Sequence, residues 1–149
     1  IEFYTAFLNR KVGDFKMTTM FRSVEDLKQA KMELDRKGTL NVKEKQELFL
    51  FEILIEMHYR KIELEKIDIY KSEAKLFTIQ DGKIRMPLIA VDGLGESVAE
   101  KVVVERKESS FLSIEDLVKR TKLNRTVVDL MKEYECLKDL SATNQQTLF

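Results

Sequence analysis

Proline occurs once in these 149 residues, at Pro87, and glycine five times, so the backbone has few places where it is free to break. Between those breaks, apolar residues recur at helical spacing. Phe3, Tyr4, Phe7 and Leu8 mark a first helix that should end near Gly13. Ser23 and Asp26 stand at capping-box spacing and open a second, whose Val24, Leu27, Ala30 and Leu34 share one face up to a stop at Gly38. Asn41 can cap a third helix running to about Lys61. Its middle, Leu48 to Ile55, is apolar except for Glu52, which calls for burial among other helices. Residues 1 to about 60 read as one small helical unit.

From Ile62 the period changes. Ile67 and Ile69 alternate with polar residues, and Leu76, Phe77 and Ile79 lead into Asp81-Gly82 before Ile84 and Met86. An Asp-Gly pair between two such runs predicts a two-residue hairpin. After Pro87 the helical period returns, with Val98, Ala99, Val102 and Val103 on one side of residues 96–107. Ser113 then caps a short helix to about Arg120, with Asp116 reciprocal to it and Leu112 placed to staple onto Leu117. A last helix from about Thr126 carries Val127, Val128, Leu130, Met131 and Tyr134. Residues 141–149 hold no charge and no period, and are expected to be a mobile tail. The fold class is mainly α with a small β element.

Side-chain chemistry excludes several functions. A single cysteine, Cys136, allows no internal disulfide and no cysteine-based zinc site. A single histidine, His58, leaves no His triad or cluster, and it reads as an ordinary packed or surface residue. Cys136 reads as a small core residue, and Glu63/Glu65 and Glu115-Asp116 as surface and helix-start acids. No nucleophile, base and orienter set emerges, and no metal site. No apolar run approaches the ~20 residues that span a bilayer. Lys and Arg balance Asp and Glu at 26 each, so any attraction for nucleic acid must be local. The opening Ile1-Glu2-Phe3-Tyr4 already looks like part of a helix, and a piece of a longer intracellular protein is expected.

The most informative stretch runs from Leu88 to Ala99. An apolar lead, Gly93-Leu94-Gly95, and a helix with a small residue at Ala99 resemble a helix-hairpin-helix motif. The glycines allow a tight turn and a close backbone approach. Amides of Gly93, Leu94, Gly95, Glu96 and Ser97 can then hold a phosphate oxygen at a helix start, a contact without sequence information. Glu96 adds a negative charge beside them, and Ser97 stands where a basic residue is common. A dinucleotide fingerprint is excluded because its third glycine would be Val98 and no βαβ unit follows. A simple turn between helices is the competing reading.

Such hairpins commonly come in pairs. Lys119-Arg120-Thr121-Lys122-Leu123-Asn124-Arg125 joins the next two helices with four basic residues and no acid. It lacks the glycine pair, so it would be a degenerate second copy in which Lys119, Arg120, Lys122 and Arg125 attract DNA through their side chains. At the terminus, Gln145-Gln146-Thr147-Leu148-Phe149 resembles the bacterial sliding-clamp-binding pentapeptide. Gln145, Leu148 and Phe149 match, Thr147 is a conservative fit, and Gln146 replaces an apolar residue.

Together these features resemble the C-terminal end of the PolC form of the C-family DNA polymerase III alpha subunit, a bacterial replicative polymerase. The resemblance covers nearly the whole chain, including the Phe3-Tyr4 helix, Val42-Lys43-Glu44-Lys45, and Ile67-Asp68-Ile69-Tyr70-Lys71-Ser72. It continues through the Gly93-Leu94-Gly95 hairpin and Phe111-Leu112-Ser113-Ile114-Glu115-Asp116-Leu117 to the clamp peptide. It implies that residues 1–82 end a fingers region, that 83–140 form a tandem helix-hairpin-helix domain gripping duplex DNA, and that 141–149 carry the clamp peptide. It implies a cytoplasmic nucleotidyltransferase that uses Mg2+, whose catalytic carboxylates lie upstream; no catalytic residue and no cofactor is expected within these residues. The other classes open at this point are a protein-interaction module whose hairpins only pack helices, and a helix-hairpin-helix segment of a DNA repair enzyme.

Overall fold

The computed structural model describes residues 1–11, 13 and 15–143. Helices α1 (Glu2–Arg10), α2 (Met17–Met20), α3 (Val24–Asp35) and α4 (Val42–Tyr59) come first. Three short strands follow, β1 (Leu64–Glu65), β2 (Thr78–Gln80) and β3 (Lys83–Arg85). A 3₁₀ turn at Leu88–Ala90 leads into α5 (Glu96–Glu108), α6 (Ile114–Thr121) and α7 (Arg125–Glu133). One cluster of buried apolar side chains runs from Tyr4 to Leu137, drawing on every helix and on Ile84 of β3.

The helix starts follow from local chemistry. Ser23 Oγ accepts from Asp26 N, and Asn41 and Glu44 form the complete reciprocal box at the head of α4. Leu50, Phe51, Ile53, Leu54 and Met57 bury α4 on several sides, as its nearly unbroken apolar middle requires. Asp81 and Gly82 both take positive φ, +51° and +74°, and turn β2 back antiparallel onto β3 with Gln80 opposite Lys83.

Several expectations need correction. The first helix forms but ends at Arg10, short of Gly13, and it buries Tyr4 and Leu8 while Phe3 stays 70% exposed. The alternation at Ile67 and Ile69 is not a strand; both side chains are buried from an irregular connection. The strand in that region is β1, only two residues long, parallel to β3 with Leu64 opposite Ile84. A period cannot show itself in two residues. Leu112 does not staple onto Leu117, for it is 73% exposed while Leu117 is fully buried. Asp116 Oδ2 accepts from Leu112 N at 3.0 Å, which turns residue 112 at the helix head. The first residues of the expected tail are anchored, since Ile114 N donates to Ser141 O and Glu115 N to Ala142 O. Residues 145–149 lie outside the described part.

The early helices are tied directly to the later hairpin. Asn9 brackets Phe77, accepting from its N–H at 2.7 Å and donating to its carbonyl at 3.0 Å. Thr18 Oγ1 donates to Asp92 Oδ1, and Lys16 Nζ to Ile89 O. The β2–β3 hairpin runs over residues 78–85, with Asp81 and Gly82 as the turn between paired Gln80 and Lys83.

Candidate nucleic-acid interface

The first hairpin is built on buried apolar anchors. Val91 and Leu94 point into the core on either side of the exposed Gly93, and Leu94 N donates to Val91 O at 3.1 Å. Gly93 has φ +85°, a region that L-residues enter only with strain. Gly95 then opens α5 as its N-cap with φ −81° and ψ 164°. That is ordinary extended backbone, and a Cβ placed on Gly95 would meet nothing within 4 Å. The fold itself therefore has no need of glycine at 95. Gly95 also supplies no capping side chain, which leaves the first-turn amides of Glu96, Ser97 and Val98 without one.

The second hairpin repeats this backbone with different residues. Lys122 takes the left-handed position, φ +64°, where the first hairpin has Gly93. Leu123 is buried where the first has Leu94. Asn124 is the N-cap of α7 with φ −79° and ψ 162°, within 2° of Gly95 in both angles. Val128 N donates to Asn124 O at 3.0 Å, as Ala99 N donates to Gly95 O at 3.0 Å. The degenerate copy expected from sequence thus matches the first hairpin at its left-handed turning residue, its buried leucine and its N-cap. One difference matters: Asn124 Oδ1 accepts from Val127 N at 2.8 Å and fills the place that Gly95 leaves open. The two hairpins also touch, because a Cβ on Gly93 would lie 3.6 Å from Val127 Cγ2.

The charged residues divide into two groups. Lys119, Lys122 and Arg125 are exposed, and Arg125 has only a 3.9 Å approach to Asp129. Arg120 does not belong with them. Its Nη2 donates to Glu105 O at 2.6 Å and Ser109 O at 3.0 Å, and its Nη1 to Ser110 O and Asp116 Oδ2 at 3.2 Å each. Its Nε reaches Glu105 Oε2 at 3.3 Å, and its guanidinium lies 4.5 Å over the Phe111 ring. With 17% of the side chain exposed, Arg120 is spent on the fold. A basic run gives no sequence signal for this, because the partners are mainly carbonyls. Glu96 is partly offset by Lys75, a residue that sequence reasoning did not single out: Lys75 Nζ lies 3.7 Å from Glu96 and 3.2 Å from Glu100.

Among the described residues no group of three or more His, Cys, Asp or Glu side chains could hold a metal ion. No helix among them is long and apolar enough to cross a membrane. Cys136 is buried against Met17, and burial pushes its thiol up to about 12, far from a reactive thiolate.

Two hairpins alike in turning residue and N-cap, each leading into a helix, define a tandem helix-hairpin-helix unit. The family described as a helix-hairpin-helix motif matches residues 61–147, and the chain belongs to it. Over its whole length the chain is also similar to one section of proteins named DNA polymerase III PolC-type. It is 38% identical over 149 residues to the DNA polymerase III PolC-type of Thermotoga maritima, 40% over 149 residues to that of Lacticaseibacillus paracasei, and 34% over 148 residues to that of Caldanaerobacter subterraneus. The alignments cover 99–100% of this chain but only 10–11% of these relatives.

Proposed function

We propose that this chain is the part of a bacterial replicative DNA polymerase that holds duplex DNA by its backbone and tethers the enzyme to the sliding clamp. The observation that carries the DNA reading is the pairing of Gly95 with Asn124. Two N-caps share one backbone conformation; one is capped by its own side chain, and the other is bare although the fold leaves room for a side chain. A bare N-cap beside open amides suits an outside acceptor, and a phosphate oxygen is the acceptor such a helix start attracts.

On this reading the two hairpins grip differently. The first offers the amides of Gly93, Gly95, Glu96 and Ser97, with the Ser97 hydroxyl as a further donor and buried Leu94, whose own amide is taken by Val91 O, as its support. The second, with its amide already satisfied, acts through the side chains of Lys119, Lys122 and Arg125. Both contacts fall on phosphates, so binding is independent of base sequence and weakens with salt. Residues 1–82 then end the fingers region and residues 83–140 form the duplex grip. Nucleotidyl transfer and its Mg2+ belong to carboxylates elsewhere in the longer enzyme, and a bacterial replicase works in the cytoplasm. Gln145, Gln146, Thr147, Leu148 and Phe149 supply the clamp peptide, with Leu148 and Phe149 as its apolar anchors. Weak contacts to DNA and clamp reinforce one another through effective concentration.

Gly95→Asn tests the DNA reading, because it installs at the first hairpin the cap that the second already has. Duplex affinity, read by fluorescence anisotropy at low salt, should fall by about tenfold, while the fold gains a few tenths of a kcal/mol from the cap. Unchanged affinity would show that phosphate does not reach those amides. Leu148→Ala with Phe149→Ala should abolish retention on immobilised clamp and leave duplex affinity unaltered.

A further inference from the structure

We infer that Arg120 is a positioning residue that sets the two hairpins relative to each other, so that both reach phosphates of one duplex. This inference rests on the DNA-gripping function proposed above. Arg120 lies in the last turn of α6, two residues before Lys122, the turning residue of the second hairpin. Its hydrogen bonds reach Glu105 O and Ser109 O at the end of α5, and α5 begins at the first hairpin. A single planar guanidinium therefore joins the far end of the first hairpin's helix to the near end of the second hairpin. Its remaining donors go to Ser110 O and to the Glu105 and Asp116 carboxylates, while Phe111 supports its face.

The spread of these acceptors makes the fork shape essential. Five N–H donors in a fixed plane can serve carbonyls on residues 105, 109 and 110 together. A lysine ammonium carries the same charge on a flexible stem without that plane. Charge and shape can thus be separated: a phosphate contact would tolerate lysine, and a positioning role would not. The consequence reaches the first hairpin through its contact with Val127 on α7.

Two measurements on the same set of proteins decide the matter: the native chain, Arg120→Lys, Arg120→Gln and, as a surface-charge control, Arg125→Gln. In the free proteins, amide chemical shifts should move in Arg120→Lys at Lys122 to Val127 and at Gly93 to Ser97, with helical content by circular dichroism retained. Duplex anisotropy at ~50 and ~200 mM salt should show both Arg120 variants binding at least about tenfold more weakly than the native chain, because two linked contacts become one. Arg125→Gln should bind only modestly more weakly and lower the slope of log affinity against log salt by about 0.9. Shifts confined to residues near 120, or native affinity in Arg120→Lys together with a slope lowered by about 0.9 in Arg120→Gln, would overturn the positioning role. Failure of the native chain to bind any duplex would overturn the underlying DNA reading instead, and the amide pattern would still decide whether Arg120 sets the hairpins.

Discussion

Gly93 and Val127 meet where the two hairpins come together, with Val127 Cγ2 placed 3.6 Å from where a Cβ on Gly93 would be. That separation is ordinary van der Waals contact, so an added methyl group fits. What an alanine cannot do cheaply is hold φ +85°. Gly93→Ala is therefore expected to cost about 1–2 kcal/mol, all of it from backbone conformation. Thermal unfolding measures this directly. A loss near zero would mean that the hairpin relaxes to another turn, and the amides of Gly93 to Ser97 would then shift with it.

Lys122 holds the matching position of the second hairpin, at φ +64°, with its N–H donating to Val118 O at 2.9 Å. Glycine is the residue that helix ends of this kind favour. Lys122→Gly should consequently raise stability by about 0.5–1 kcal/mol, because the strain it relieves exceeds the entropy it adds. The same change removes a cation from the proposed DNA face, so the salt slope should fall by about 0.9. Opposite signs in the two assays would locate the reason for lysine in binding. Loss of stability together with an unchanged slope would contradict it.

The sequence shows the helices clearly wherever one short-range signal sets the element. Ser23, Asn41 and Ser113 cap as their spacing predicts, and Asp81-Gly82 turns the hairpin. Legibility fails where the partner is distant in the chain. β1 exists because Leu64 finds Ile84, and α2 is fastened by Lys16 and Thr18 to residues more than 70 positions away. The candidate site divides in the same way. Gly93-Leu94-Gly95 is readable because its conformational needs are local, whereas the second hairpin's equivalence emerges only when the angles of Lys122 and Asn124 are set beside it. Arg120 is misread for the same reason, since nothing in a run of basic residues says that carbonyls will take its donors.

Asp116 gives the acid limb of stability a specific origin. The N–H of Leu112, first, and the Arg120 guanidinium hold its carboxyl below the ordinary value of 3.8. A carboxyl with a lowered folded value stabilises the fold fully above the ordinary value, and that contribution disappears as pH falls through the lower one. Asp116→Asn should therefore melt below the native chain at neutral pH, with the gap closing as pH falls below about 4. A gap that stays constant with pH would mean that the charge of Asp116 is not what Leu112 and Arg120 hold.

Lys75 stands beside two acids on the first hairpin's own helix, 3.7 Å from Glu96 and 3.2 Å from Glu100. All three side chains are well exposed, so the pairs matter little for stability. Their effect is instead on the potential at the bare N-terminus of α5, where two uncompensated carboxylates would repel a phosphate. Lys75→Gln should leave the melting temperature nearly unchanged and weaken duplex binding about threefold at ~50 mM salt, with the difference shrinking by ~200 mM as screening grows. Glu96→Gln should move affinity the other way over the same salt range. Equal affinities for all three proteins at low salt would place the bound phosphate beyond the reach of Glu96, and so away from the first turn of α5.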